Sequence, residues 1–196
     1  KTLVDFMNLN CQYQACTPQI SYFSDKKKIW NCGGRLFGGF RKYYYADQRD
    51  VKFTKSVIDI SFVTGCALLI RSSLLDDDKK LFTERFFFGE EDFEFSLRMK
   101  EKGCLMACVL NSLIYHKVGS STQDKNELPK MFIHYLNRYI NIRQHFSPFN
   151  YHIWKIVNNI WIFLLLYRKK YSVKTRFAFV KKLNIESKLK EGVEYD

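Results

Sequence analysis

The sequence predicts an α/β fold followed by a basic, aromatic and helical C-terminal region. Three observations carry this prediction. Apolar, strand-like runs lie at residues 15–23, 57–70 and 105–116, an acid-rich segment at residues 90–102 has helical periodicity, and longer helical patterns follow residue 127. The chain has 196 residues, of which 46% are hydrophobic, so it is long enough to form a globular core.

The first part of the chain predicts a short helix, a strand and two turns. Residues 1–10 read as an amphipathic helix, and the apolar run Ala15–Phe23 predicts a strand. Pro18 interrupts this run. Because proline has no N–H for a ladder hydrogen bond, we expect an edge strand. Residues 25–28 predict a solvated turn, and the glycines within residues 31–34 predict a tight loop.

The middle of the chain predicts a long loop and then further strands. Residues 36–55 are aromatic and basic with weak periodicity, which is typical of a loop. Residues 57–70 predict one or two strands, with Gly65 at a bulge or a close backbone approach. Ser72 and Ser73 are expected to cap a short helix that runs through Leu75.

The acid-rich segment predicts a helix from about Glu90 to Lys102. Apolar residues recur four positions apart, Glu94 can pair with Arg98 on the helix surface, and Gly103 can end the helix. Glu91 and Asp92 then lie in the first turn. Unpaired backbone N–H groups and the positive end of the helix dipole favour ionised carboxylates there, and an ionised carboxylate can accept a proton. The simpler alternative is that these acids only cap the helix.

The rest of the chain predicts two strands and two helical segments. Leu105–Leu110 and Ser112–His116 read as short strands, and Leu128–Phe146 reads as a helix. The apolar segment Ile153–Tyr167 follows. Its longest uncharged run, Ile156–Tyr167, has twelve residues, whereas a membrane-spanning helix needs about 20. We therefore expect this segment to lie on a membrane or to pack on the protein.

The six cysteines are too sparse for a disulfide scaffold, and most lie in apolar segments, which favours free, buried thiols in a reducing compartment. Structural zinc is the alternative, because four residues are potential ligands: Cys104, Cys108, His116 and His134. No Cys-x-x-Cys pair occurs in the sequence. Buried thiols are therefore the favoured interpretation.

The net charge is +12, from 32 basic and 20 acidic residues, and the acidic residues are missing from a long stretch near the C-terminus. Residues 128–185 contain no Asp or Glu but eleven Lys or Arg and thirteen aromatic residues. This composition predicts a surface that meets a polyanionic and partly apolar partner, either an anionic lipid surface or nucleic acid.

Four segments, taken in order along the chain, resemble the family 2 glycosyltransferases with the GT-A fold. They are Phe62-Val63-Thr64-Gly65-Cys66-Ala67-Leu68-Leu69-Ile70-Arg71, Leu81-Phe82-Thr83-Glu84-Arg85-Phe86-Phe87, Phe87-Phe88-Gly89-Glu90-Glu91-Asp92 through Leu97-Arg98, and Tyr115-His116-Lys117-Val118-Gly119-Ser120-Ser121. The loop Ile29–Gly34 is also similar to a loop of that family. Thr83 and Glu94 stand where the family pattern has Asp.

The resemblance implies that the chain is the second, acceptor-side half of a GT-A fold, with a mixed β-sheet flanked by helices. Residues 1–127 would form this half of the catalytic domain, and residues 128–196 a helical, basic region that associates with membranes. The family's nucleotide-binding first half, with its Asp-x-Asp motif, has no counterpart here. Leu3–Met7 looks like the helix after that motif, so we expect the chain to begin just downstream and to be inactive alone.

The resemblance also implies roles for individual residues. Asp92 would be the general base and Glu91 would orient the acceptor. His116 would face a divalent metal (Mg²⁺ or Mn²⁺) and the diphosphate of the donor. Contacts to substrate are expected from two further segments, namely Gly65, Cys66 and Ala67 in the first and Lys117, Ser120 and Ser121 in the second.

The function implied is inverting transfer of a sugar from a nucleotide sugar to a glycan or a lipid-linked acceptor. The expected partners are the donor, the acceptor, the missing N-terminal half of the same enzyme and an anionic membrane surface at the cytoplasmic face. Trp154, Trp161 and Tyr167 are the aromatic residues expected at the lipid interface. The alternative is a non-catalytic module that binds a membrane surface or, less favoured, nucleic acid.

Overall fold

A computed structural model describes residues 1–75, 81–86, 90–118 and 127–189. The chain has an α/β architecture, as predicted. The elements are, in order, α1 (Thr2–Leu9), β1 (Tyr13–Tyr22), β2 (Ile29–Asn31), β3 (Gly34–Phe37), β4 (Phe40–Tyr43), β5 (Val57–Ile60), β6 (Leu69–Ile70), a 3-10 turn (Ser72–Leu74), α2 (Glu91–Glu101), β7 (Leu105–His116), α3 (Glu127–His145), α4 (Pro148–Arg168) and α5 (Val173–Glu186).

The main sheet is mixed and is built around β1 and β7, which pair in parallel. β2 and β6 pair antiparallel with β1, and β5 pairs antiparallel with β7. The prediction that β1 is an edge strand is wrong. Pro18 is tolerated inside the sheet because the pairing of β1 with β7 shifts register between Pro18 and Gln19, so the missing N–H falls at an irregularity.

The predicted long loop at residues 36–55 is wrong in its first part, where β3 and β4 form a hairpin. Gly38 and Gly39 both have positive φ, 51° and 78°, as a two-residue hairpin turn with a right-handed twist requires. Gly34 at the start of β3 leaves no room for a side chain, because an added Cβ would lie 2.6 Å from the carbonyl oxygen of Lys42. The tight loop predicted at residues 31–34 is confirmed as the turn between β2 and β3.

Helices cover both faces of the central strands. On one face, Met7 of α1 packs with Cys16 and Val109. On the other face, Phe95 and Met99 of α2 enter a larger core with residues of β1, β2, β5 and β7. Because adjacent residues of a strand point to opposite faces, Ala15 and Cys16 of β1 belong to different cores.

Three local predictions on this part of the chain need correction. The two strands expected at residues 105–116 are one strand, β7, in which the expected break is an irregularity opposite Pro18. Among the described residues Gly65 has no close backbone neighbour, since the contact that an added Cβ would make is with the Phe82 side chain, at 3.7 Å. The serines at residues 72 and 73 form a single 3-10 turn, which has no side-chain cap.

The chain divides into two compact units, one of residues 1–83 and 92–123 and the other of residues 84–91 and 124–196. The second unit contains α3, α4 and α5. Ser147 caps α4 and Ser172 caps α5, each by accepting a backbone N–H in the first helical turn. Of the helices in the described residues, none is long and apolar enough to cross a membrane.

Candidate functional site

The candidate site is built around Asp92 in the first turn of α2. The predicted helix is confirmed, and it ends before Gly103, which adopts the left-handed conformation that a helix end favours. The Asp92 side chain is only 17% exposed, and its Oδ1 lies 3.7 Å from Nη1 of Arg41 on β4. The helix N-terminus and this guanidinium both favour the ionised carboxylate.

Three aromatic rings hold the Arg41 guanidinium in place. Its central carbon lies 5.1 Å from the ring centre of Phe62, 5.4 Å from that of Tyr43 and 6.0 Å from that of Phe93. These distances are within the range of cation–π attraction. Arg41 is therefore a pre-positioned cation, and holding it beside the carboxylate requires little further ordering of its side chain.

Ser96 fixes the first turn of α2 against the segment before Gly65. The buried Ser96 hydroxyl donates to the Asp92 carbonyl oxygen at 2.7 Å and accepts the Val63 N–H at 3.2 Å. One side chain thus satisfies two backbone groups on two different segments. Consequently Asp92 and the segment that begins at Thr64 are held in a defined geometry.

The segment of residues 64–67 lies beside β1. Thr17 of β1 donates its hydroxyl to the Ala67 carbonyl oxygen at 2.8 Å, and Thr64 Oγ1 lies 3.5 Å from Cys66 Sγ. Cys66 is exposed, but the protein atoms around its thiol desolvate the thiolate and raise its pKa, and the negative charge of Asp92 adds to the increase. Cys66 is therefore a neutral thiol at pH 7, suited to weak hydrogen bonding and not to nucleophilic attack.

Glu91, the predicted partner of Asp92, is the first residue of α2. Its Oε2 accepts the backbone N–H of Glu90 at 3.0 Å. This contact joins consecutive residues at the helix start and differs from an N-cap contact, in which the side chain accepts an N–H two or three residues later. Side chains of consecutive helical residues diverge by about 100°, so Glu91 and Asp92 face different surroundings.

His116 is the last residue of β7, as predicted, and its ring packs against Trp30 with 4.7 Å between the ring centres. Trp30 in turn lies 6.4 Å from the ring of Tyr43, one of the three rings around Arg41. Lys117 is exposed, with its ammonium group 4.8 Å above the ring of Phe23. Ser120 and Ser121 lie outside the described residues, so the substrate contacts expected of them stay predictions.

Within the described part of the chain, no other side chains join His116 to form a metal site. No three His, Cys, Asp or Glu side chains in residues 1–75, 81–86, 90–118 and 127–189 group together as a metal site. His116, the expected ligand, packs on an aromatic ring. These residues alone therefore do not fit a metal centre. The six cysteines are free, and the expectation of buried thiols holds for Cys16, Cys32 and Cys108, whereas Cys104 is half-buried and Cys11 and Cys66 are exposed.

A second polar cluster, which the sequence did not predict, lies wholly in the second unit. Glu90 is fully buried and accepts two hydrogen bonds from Arg138 on α3, at 2.5 and 2.6 Å. Asn141 Nδ2 is 3.5 Å from the same carboxylate, and His134 Nδ1 is 3.6 Å from it. Glu90 therefore holds α3, and this bidentate pair leaves it no proton-accepting role of the kind expected of Asp92.

Arg41 and Ser96 are the site residues that the sequence analysis missed. Arg41 lies in a segment predicted to be a loop, although the pair Gly38-Gly39 between alternating residues is a hairpin signal that places Arg41 on a strand. Ser96 lies four residues after Asp92, which is the spacing at which a serine hydroxyl can reach back to a helical carbonyl. No protein-family model matches the sequence, and no curated protein matches it.

Proposed function

We propose that this chain is the acceptor-side half of a glycosyltransferase resembling family 2, with a GT-A fold, and that Asp92 is its general base. One observation carries the proposal. Asp92 is a largely buried carboxylate in the first turn of a helix, beside a cation that three rings hold in place. This arrangement keeps a proton acceptor ionised and oriented, which a capping residue does not require.

The reaction is a single displacement at the anomeric carbon of a nucleotide sugar. The acceptor hydroxyl oxygen forms the new bond to that carbon, while the bond from the carbon to the diphosphate oxygen breaks and its electron pair leaves with the diphosphate. Asp92 takes the hydroxyl proton through one of its carboxylate oxygens. Because the acceptor attacks opposite to the leaving group, the anomeric configuration inverts.

Arg41 orients the base. The 3.7 Å separation between Arg41 Nη1 and Asp92 Oδ1 is longer than a hydrogen bond, so the guanidinium balances the carboxylate charge without a tight, bidentate contact. The aromatic rings around Arg41 also desolvate the site, and this strengthens every electrostatic interaction in it. Arg41 is a positioning residue, since it acts through Asp92.

Acceptor contacts belong to the residues around this pair. Gly65, Cys66 and Ala67 follow the segment that Ser96 fixes, and the neutral Cys66 thiol is a weak donor or acceptor for a sugar hydroxyl. Glu91 would orient the acceptor after giving up its contact with the Glu90 N–H.

Donor binding is assigned to a nucleotide-binding half that has no counterpart in residues 1–196. His116 and Lys117, at the end of β7, would meet the diphosphate side of the donor. The divalent metal would take its carboxylate ligands from that other half, because the described residues supply no cluster for it.

The proposal is tested with the protein that includes its nucleotide-binding half. Uridine- and thymidine-diphosphate sugars are supplied with Mn²⁺ and a panel of glycan and lipid-linked acceptors, and release of the nucleoside diphosphate is followed with and without acceptor. The anomeric configuration of the product is read by NMR. Acceptor-dependent release with inversion supports the proposal. Transfer with retention, or no transfer from any donor, contradicts it and favours the non-catalytic alternative.

A further inference from the structure

We propose that the outward face of α4 docks on an anionic membrane surface. This face consists of seven apolar residues that recur every three or four positions along the helix, with one adjacent pair, Ile156 and Val157: Phe149, Ile153, Ile156, Val157, Ile160, Leu164 and Tyr167. All seven are exposed; Ile156, near the middle of the helix, is 61% exposed. A helix of this length extends about 30 Å, so the apolar stripe runs along the whole of it.

The opposite face of α4 is already packed on its own unit. Tyr151, Trp154, Asn158, Ile162 and Leu166 are buried. Trp154 is only 4% exposed and its ring lies 4.9 Å from that of Tyr139 on α3. The expectation that Trp154 faces lipid is therefore wrong, whereas Trp161 and Tyr167 are exposed as expected.

A surface helix of a soluble domain normally presents charged and polar residues to solvent on its outer face. The outward face of α4 presents apolar residues instead, and scattered exposed apolar residues do not account for a continuous stripe of seven. Such a stripe requires a partner with an apolar surface.

Helix α5 extends the exposed apolar surface. Val173 and Phe177 of α5 are exposed, and the ring of Phe177 lies 5.0 Å from that of Phe163 on α4. The guanidinium of Arg176 lies 4.6 Å from the ring centre of Phe163 and 5.1 Å from that of Tyr167. These contacts place the exposed sides of α4 and α5 next to each other.

Basic residues border this apolar surface. Arg168 is the last residue of α4, Lys170 follows the helix, and Lys174 and Lys181 are exposed on α5. The sequence from residue 128 to residue 185 has no acid. An exposed apolar stripe bordered by Lys and Arg is the pattern of a helix that lies in the interface of an anionic bilayer.

The positive charge and the apolar side chains of this face argue against two other partners, a second copy of the chain and nucleic acid. Two copies of this face would bring like charges together, and nucleic acid offers phosphates but no extended apolar surface for seven aliphatic and aromatic side chains. The helix lies on the bilayer and does not cross it, in keeping with the lack of a membrane-spanning helix among the described residues. The inference does not depend on the proposed transfer reaction.

The test uses the full chain and vesicles of phosphatidylcholine, with or without phosphatidylserine, in a flotation assay at low and high salt. We expect binding only to the vesicles that contain phosphatidylserine, and weaker binding at high salt. Ile160→Gln should lower the partition coefficient about tenfold. Leu9→Gln is the matched control, because Leu9 is an exposed aliphatic residue on α1, and it should leave binding unchanged.

Charge is tested in the same way. Lys174→Gln combined with Lys181→Gln should lower binding about fivefold for each lysine. Lys52→Gln combined with Lys102→Gln removes the same net charge from exposed positions in the other unit and should have little effect. Trp161 lies at the edge of the outward face, so brominated lipid should quench tryptophan fluorescence in the parent and much less in Trp161→Phe.

Three outcomes would overturn the inference. One is equal binding to vesicles with and without phosphatidylserine, or no binding to either kind. Another is sedimentation velocity that shows a dimer which Ile160→Gln converts to a monomer, since the occupant would then be a second copy. The third is tight binding of single-stranded RNA by the full chain without vesicle binding.

Discussion

The buried pair of Glu90 and Arg138 gives the sharpest stability prediction. Glu90 has no exposed surface, and the Arg138 guanidinium donates two short hydrogen bonds to its carboxylate. Both residues belong to the second unit. Burying two charges costs desolvation energy, so such a pair adds little net stability, but removing one partner leaves the other charge buried and uncompensated.

Arg138→Met removes both guanidinium donors while keeping most of the side-chain length. A buried carboxylate that loses its cation destabilises the fold by about 3–5 kcal/mol. For a chain of this size, that loss lowers the midpoint of thermal unfolding by about 10 °C. Glu90→Gln in the same chain should restore part of the lost stability, because a neutral amide needs no counter-charge. The coupling energy between the two substitutions should therefore be at least about 2 kcal/mol.

The assay is urea denaturation followed by circular dichroism, together with hydrogen exchange of peptides from α3, which reports on the second unit. Lys182→Met is the matched control, because Lys182 pairs with Glu186 at 3.7 Å on the same unit but is 62% exposed. An exposed pair contributes about 0.5 kcal/mol or less. If Arg138→Met costs no more than the control, or if the double variant is no more stable than the single one, the reasoning is refuted.

Two further predictions concern His116 and Cys16. His116→Ala should weaken the metal dependence of transfer while His152→Ala, at an exposed position on α4, should not. If a metal titration is unchanged and only thermal stability falls, His116 serves only to pack on Trp30. Burial raises the pKa of Cys16 from 9.0 to about 11. Between these pH values the folded thiol keeps a proton that the unfolded thiol has lost, so stability should fall as the pH rises, by at most about 2 kcal/mol. Cys16→Ala should reduce the fall in the free energy of unfolding, measured with urea, between pH 9 and about pH 11. The same fall in the parent and in the variant would contradict the assignment.

Much of the fold could be predicted from local patterns. The helix of residues 91–101 followed from apolar spacing and from Gly103, and the helix of residues 127–145 followed from periodicity of the same kind. Helix α4 was predicted only from its apolar run, Ile153–Tyr167, so its start at Pro148 was missed. These signals are local, because a helix satisfies its backbone hydrogen bonds within one segment. Strand pairing is not local. The position of β1 at the centre of the sheet depends on a register shift opposite Pro18, which the sequence of β1 alone does not reveal.

The candidate site was predicted only in part, because the sequence shows local features but not contacts between distant segments. Asp92 could be placed in a first helical turn from its own neighbours, but Arg41 reaches it from a hairpin 51 positions earlier in the chain. The role of Glu90 was also hidden, because the three consecutive acids look alike in sequence and only packing against α3 selects one for burial. Helix α5 was predicted only as part of the helical region at residues 128–196, and its bounds were not, because the apolar positions that it buries, Phe179 and Leu183, lie among basic residues.

The central claim is that Asp92 accepts the proton of the acceptor hydroxyl, and the most direct measurement compares Asp92→Asn with the parent at saturating donor and acceptor. The amide keeps the shape of the side chain but cannot take the proton, so kcat should fall by about 10²–10⁴ while donor affinity and the unfolding midpoint stay close to those of the parent. Asp5→Asn is the control, because Asp5 is an acid in the first turn of α1. A kcat for Asp92→Asn within a factor of a few of the parent would contradict the account.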